Sequence, residues 1–149
     1  MKNILLFLLL NLAGLTRIFC QDNVPADQQK AIAALIDQYS EARENKDTIL
    51  LKNILTTEVD QLVSTGEWRE GIDAAVKGML RSSASTPGTR TLHVEKTRML
   101  SSTSAIVDCR YEIQNTDSTI RKMWSSFIVI ADKGVWKITA IRNMLPAAP

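Results

Sequence analysis

The sequence is poor in the residues that most enzymes use for chemistry. It holds one histidine, His93, and two cysteines, Cys20 and Cys109, and aromatic residues make up 5% of its 149 positions. One histidine and no cluster of His, Cys and Asp supply no transition-metal set, so no metal site is expected. No glycine-rich phosphate loop is present, and neither a nucleotide nor any other cofactor is indicated. Lys and Arg are nowhere dense enough for a nucleic-acid surface. Arg90, Lys96 and Arg98, with His93 among them, come closest, but apolar residues interleave them as on a solvated strand face. The one continuous apolar run starts at Ile4, is interrupted by Asn11 and ends near Leu15. A membrane-spanning helix needs about 20 apolar residues, so no membrane span is expected.

What is there begins with that run. Lys2, the apolar stretch and a mixed segment ending at Cys20 form the pattern of a secretory signal over residues 1–20. Cleavage between Cys20 and Gln21 is expected, giving a secreted or periplasmic product. The alternative is a lipoprotein anchored at Cys20, although Ile18 and Phe19 stand where lipidation favours small residues. Lys2 and Arg17 are the only charges in the signal, so its removal brings the 18 basic residues level with the 16 acidic ones. The roughly 129 residues that follow suffice for one hydrophobic core and are too few for two. With Cys20 removed, Cys109 has no partner, and the fold stands without an intrachain disulfide. Cys109 lies in an alternating run with no histidine near it in sequence, which reads as a buried structural thiol.

Residues 21–27 form a polar lead-in, with Asp27 placed to cap a helix. From Gln28 to Glu44 the apolar residues Ile32, Leu35, Ile36, Tyr39 and Ala42 recur at helical spacing. Asp47 is placed to cap a second, shorter helix carrying Leu50, Leu51, Ile54 and Leu55. Val59, Leu62 and Val63 suggest a short strand, Gly66 a turn, and a third helix is expected from about Arg69 to Ser82. A serine-rich loop with Pro87-Gly88 follows. Four strands are then expected, approximately Thr91–Leu100, Ala105–Gln114, Thr119–Asp132 and Val135–Met144, separated by turn residues that imply an antiparallel meander. Ala105, Val107, Cys109, Tyr111 and Ile113 share one face opposite Asp108, Arg110 and Glu112, so the sheet is buried on one side. These elements predict an α+β domain over residues 28–145, with residues 146–149 as a tail.

The chain resembles the nuclear transport factor 2-like superfamily, in particular its SnoaL-like branch. The resemblance covers nearly all of the mature chain. It rests on element order and on three local patterns: "EARENKDTILLKNIL", where Asp47 opens the second helix; "GEWREGIDAAVKGML", where Gly71 precedes the third; and "DKGVWKITAI", where a glycine turn leads to Trp136 and an alternating final strand. It implies a cone-shaped fold, with three N-terminal helices packed on a curved antiparallel sheet, a cavity at the open end, and homodimerisation through the sheet. The superfamily includes isomerase-like and dehydratase-like enzymes, polyketide cyclases and binding subunits, so fold alone leaves the function open.

Enzymes of this shape use an acid with tyrosine or histidine for proton transfer. The candidates by resemblance are Asp60, with Glu58 beside it, Tyr39 and His93. Each also has a plain structural reading: a solvated carboxylate, a core tyrosine and a surface histidine. For a ligand pocket the candidates are Trp68, Tyr111 and Trp124, against the alternative of a packed core. Arg110 and Arg142 are each able to anchor an anion or simply to face solvent. The expected function is binding of a small apolar or amphipathic molecule in the cone. The alternatives are a cofactor-independent isomerase, dehydratase or cyclase, and an interaction or dimerisation module with a filled cone.

Overall fold

Asp47 starts the second helix as its position predicts. Its carboxylate accepts the backbone N–H groups of Ile49 and Leu50 at 3.0 and 2.9 Å, satisfying donors that the first helical turn leaves open. The structure, a computed structural model, describes residues 24–146. The signal segment with Cys20 lies outside the described residues. Helix α1 spans Ala26–Asn45 and α2 Thr48–Ile54. Pro25, not Asp27, is the N-cap of α1, without a side-chain bond. Asp27 stands within the first turn, where its charge still favours the positive end of the helix dipole. The apolar stripe of α1 is buried as its spacing predicts, and Arg43 is buried with it.

The chain continues through β1 (Leu55–Leu62), β2 (Trp68–Glu70), α3 (Ile72–Ser85), β3 (Gly88–Ser101), β4 (Ser104–Asn115), β5 (Ile120–Asp132) and β6 (Val135–Met144). The last four strands form the expected antiparallel meander. Two expectations need correction. Among the described residues the sheet has six strands in the order β2-β1-β6-β5-β4-β3 and is mixed, because β1 runs parallel to β6. Turn chemistry reveals hairpins between neighbours in sequence. The β1–β6 pair joins segments some 80 residues apart, Gln61 opposite Ile141, and is a tertiary choice. The third helix also begins later than expected. Residues Trp68–Glu70 pair with β1, and Gly71, at φ 80°, turns the chain out of the strand before α3 starts at Ile72.

Helices and sheet enclose one main core. Ile32 and Ile36 of α1, Leu51 of α2, Met79 of α3, Phe127 of β5 and Ile138 and Ile141 of β6 are fully excluded from solvent. The Tyr39 and Phe127 rings meet edge to face, 5.2 Å between centroids and 72° between planes. Each fully buried side chain of this size contributes about 1.5–3 kcal/mol. Cys109 is buried within this core, as its alternating run predicts. The opposite face of the sheet carries Asp60, Glu70, Trp68, Asp108, Arg110, Trp124 and Arg142, set by the period of two along each strand.

Candidate functional site

Past the core, the inner face of the sheet opens into a cavity of about 230 Å³. Its apolar part comes from Tyr111 and Ile113 of β4, Met123 of β5 and Val63 just beyond β1. The remainder is polar, and most of it is arginine. Arg43 enters from the last turn of α1, Arg69 from β2, Arg81 from α3 and Arg121 from the start of β5. Among the described residues, Glu67 is the one carboxylate on the lining, so the formal charge there is strongly positive.

The four guanidinium groups are held differently. Arg69 is buried and forks onto Glu67, with Nε 3.1 Å from Oε1 and Nη2 3.3 Å from Oε2, while its Nη1 donates to Gln61 Oε1 at 3.1 Å. Arg81 Nη2 reaches the same carboxylate at 2.6 Å. Bonded to Arg69, and with Arg81 beside it, the Glu67 carboxyl is held below the usual carboxylate range. Arg121 has a hydroxyl partner, Ser64 Oγ, at 3.0 Å. Arg43 donates from Nη1 to Tyr39 Oη at 3.0 Å and from Nη2 to Ser83 Oγ at 3.5 Å, and its buried Nε has no partner among the described residues. Burial works against the Arg43 charge; only the negative charge that the Tyr39 and Tyr111 phenols acquire at high pH, with their hydrogen bonds, outweighs this and raises the group above the usual arginine range. Ser125 donates to Asn143 Oδ1 at 2.7 Å, leaving the Asn143 amide NH₂ as a further donor group at the cavity.

No family profile and no curated protein matches the sequence. Solved structures do match. A domain of unknown function with a cystatin-like fold from Nostoc punctiforme superposes with a TM-score of 0.74 at 14% identity, covering 84% of this chain and 81% of that one. A nuclear transport factor 2-like protein of unknown function from Shewanella oneidensis gives 0.67 at 17% identity, covering 78% and 98%. A nuclear transport factor 2-like superfamily protein from Salmonella enterica gives 0.66 at 15%, covering 80% and 92%. The chain has the nuclear transport factor 2-like fold.

Within that fold the candidate acid, tyrosine and histidine lie apart. Asp60 faces the outer side of the sheet, where Arg142 forks onto it with Nη1 3.0 Å from Oδ1 and Nη2 2.9 Å from Oδ2. The Arg142 guanidinium lies 4.8 Å from the centre of the Trp68 ring. Glu58 is exposed on β1, and His93 is exposed on β3 opposite Arg110, which itself pairs with Glu95. Tyr39 is buried in the main core and holds Arg43, and burial pushes its phenol up in spite of that cation. Trp68 and Trp124 are 52% and 43% exposed on the outer face. Of Asp60, His93, Tyr39, Trp68, Tyr111 and Trp124, Tyr111 alone lines the cavity.

The arginines that do line this nuclear transport factor 2-like cavity left a signal in the sequence. Arg43 follows Tyr39 by four and Ile36 by seven residues, on the apolar stripe of α1. Arg121 is in phase with Met123, Ser125 and Phe127, and Gln61 with Val59 and Val63. A polar side chain in register with a buried set either pairs internally or lines a site.

Proposed function

We propose that this chain is an exported, SnoaL-like binding protein that holds a small amphipathic molecule at the open end of its cone and pairs as a homodimer through the outer face of the sheet. The observation that carries the binding reading is the cavity itself: about 230 Å³, with Tyr111, Ile113 and Met123 on one side and donor groups on the other. Pockets that accept ligands combine an apolar lining with a few placed polar groups, and those for drug-sized molecules occupy ~300–1,000 Å³. This cavity is smaller, which favours a ligand well below that size. Export rests on residues 1–20. The dimer reading is supported by Trp68, Trp124 and Met144, large apolar side chains left half-exposed on one sheet face.

Ligand-observed NMR with a set of neutral and charged aromatic and aliphatic fragments tests the binding reading. The wild-type chain should bind a subset of them, and Ile113→Trp, which fills the cavity, should release that subset. Fragments that bind equally well to Ile113→Trp, or no binding at all, would overturn it.

A further inference from the structure

We infer that the molecule held in the cavity is a small organic acid, its carboxylate seated between Arg43 and Arg121. The inference rests on the binding reading above and adds the chemical class of the ligand. Arg69 and Arg81 share the Glu67 carboxylate, so that part of the lining is already compensated. Among the described residues, neither Arg43 nor Arg121 has a carboxylate partner; each meets only hydroxyl groups. Arg43 is 7% exposed, and its Nε lacks any partner.

A buried guanidinium without a counter-charge is costly, and a buried donor without an acceptor adds to the cost. Native folds satisfy nearly all such groups, and the exceptions gather at functional sites. A carboxylate supplies both missing elements, a negative charge and paired acceptor oxygens that match the guanidinium fork. The Asn143 amide adds a neutral donor at the same cavity. Tyr111, Ile113 and Met123 then cover the apolar body of the acid.

A carboxylate fits this place better than a phosphate ester. Phosphate sites are commonly built on helix N-termini and runs of backbone N–H. Here α1 and α3 both bring their C-terminal turns to the cavity, through Arg43 and through Ser82 and Ser85. Helix C-termini carry partial negative charge, which disfavours a multiply charged group and leaves the arginines to balance a single one.

The test is calorimetric titration of the chain with matched pairs, benzoate against benzamide and hexanoate against hexanamide, with phenyl phosphate as a third arm. The acids should bind at least roughly tenfold more tightly than their amides, the scale of one charged hydrogen bond. Arg121→Gln, at a half-buried position, should remove that preference. Arg43→Gln should do the same where it folds. Equal affinity for acid and amide, or a preference that survives Arg121→Gln, overturns the inference while leaving the binding reading in place. Tighter binding of phenyl phosphate than of benzoate overturns the choice of carboxylate. Binding of neither member of any pair removes the binding reading and the inference with it.

Discussion

Gly78 makes room for Arg69. A methyl group at position 78 of α3 would overlap Nε, Cδ and Cζ of the Arg69 side chain, which crosses the helix there to reach Glu67 and Gln61. An alanine gains up to about 1 kcal/mol of helix propensity over glycine. Against this stands the loss of charged hydrogen bonds at a buried side chain, about 1.5–3 kcal/mol each. Gly78→Ala is therefore expected to lower stability by about 1–2 kcal/mol in urea unfolding. An unchanged or raised midpoint would show that Arg69 moves aside without cost.

Arg90 ties the end of α3 to the start of β3. Its guanidinium donates to the carbonyl oxygens of Thr86 at 2.7 Å, Gly88 at 3.0 Å and Ser82 at 3.4 Å. Thr86 is the C-cap of α3, so its carbonyl has no helical partner, whereas Ser82 O also accepts the Thr86 N–H at 3.2 Å. Arg90→Met keeps much of the stem and removes the donors, and should cost about 2–3 kcal/mol. Arg90 itself lies off the cavity lining, but its acceptors Ser82 and Thr86 lie on it, so ligand affinity should fall together with stability in the same variant. A urea midpoint equal to that of wild type would show that these carbonyls are satisfied without the guanidinium.

Burial pushes the Cys109 thiol up to about 12, with the Asp108, Asp37 and Glu95 charges acting in the same direction. A free thiol ionises near ~8.5. The folded form therefore keeps a proton that the unfolded form loses, and this contribution to stability is whole below the unfolded value and is lost as pH rises toward 12. Cys109→Ala should flatten the decline of stability between about pH 9 and 11 relative to wild type. The two slopes coinciding would contradict a protected thiol. The native protein should also resist thiol-specific reagents at pH 8 and react only on unfolding.

Trp124 stands opposite Arg110 on β4 and Met144 on β6, on the outer face of the sheet. If that face joins two copies, Trp124→Lys places a second cation beside Arg110 and removes an aromatic anchor. Sedimentation equilibrium should then show a wild-type dimer and a Trp124→Lys monomer of unchanged fold. A wild-type monomer at the highest soluble concentration would end the dimer reading.

Local signals were legible in the sequence wherever they act on neighbours. The stripe Ile32, Leu35, Ile36, Tyr39 and Ala42 predicts α1 because side chains four apart share a helix face. Asp47 predicts the start of α2 because a short carboxylate reaches the N–H groups two and three residues on. The alternation from Ala105 to Ile113 predicts both β4 and its buried face, and the intervening turns predict the meander. Arg43, Arg121 and Gln61 were not legible as site residues, because being in phase with buried sets does not say what a polar group meets.

Tertiary structure alone decided the rest. Whether β1 joins the sheet, and in which direction, depends on β6 arriving beside it from far along the chain, which no neighbouring residue encodes. The same pairing turns Asp60 outward to Arg142 and Gln61 inward to the cavity, since adjacent residues of a strand face opposite sides. Sequence distance likewise does not bring Arg43, Arg69, Arg81 and Arg121 together. They meet because α1, β2, α3 and β5 end or begin at one end of the fold, and only there does a lining that looks unremarkable residue by residue become a concentration of positive charge around one carboxylate.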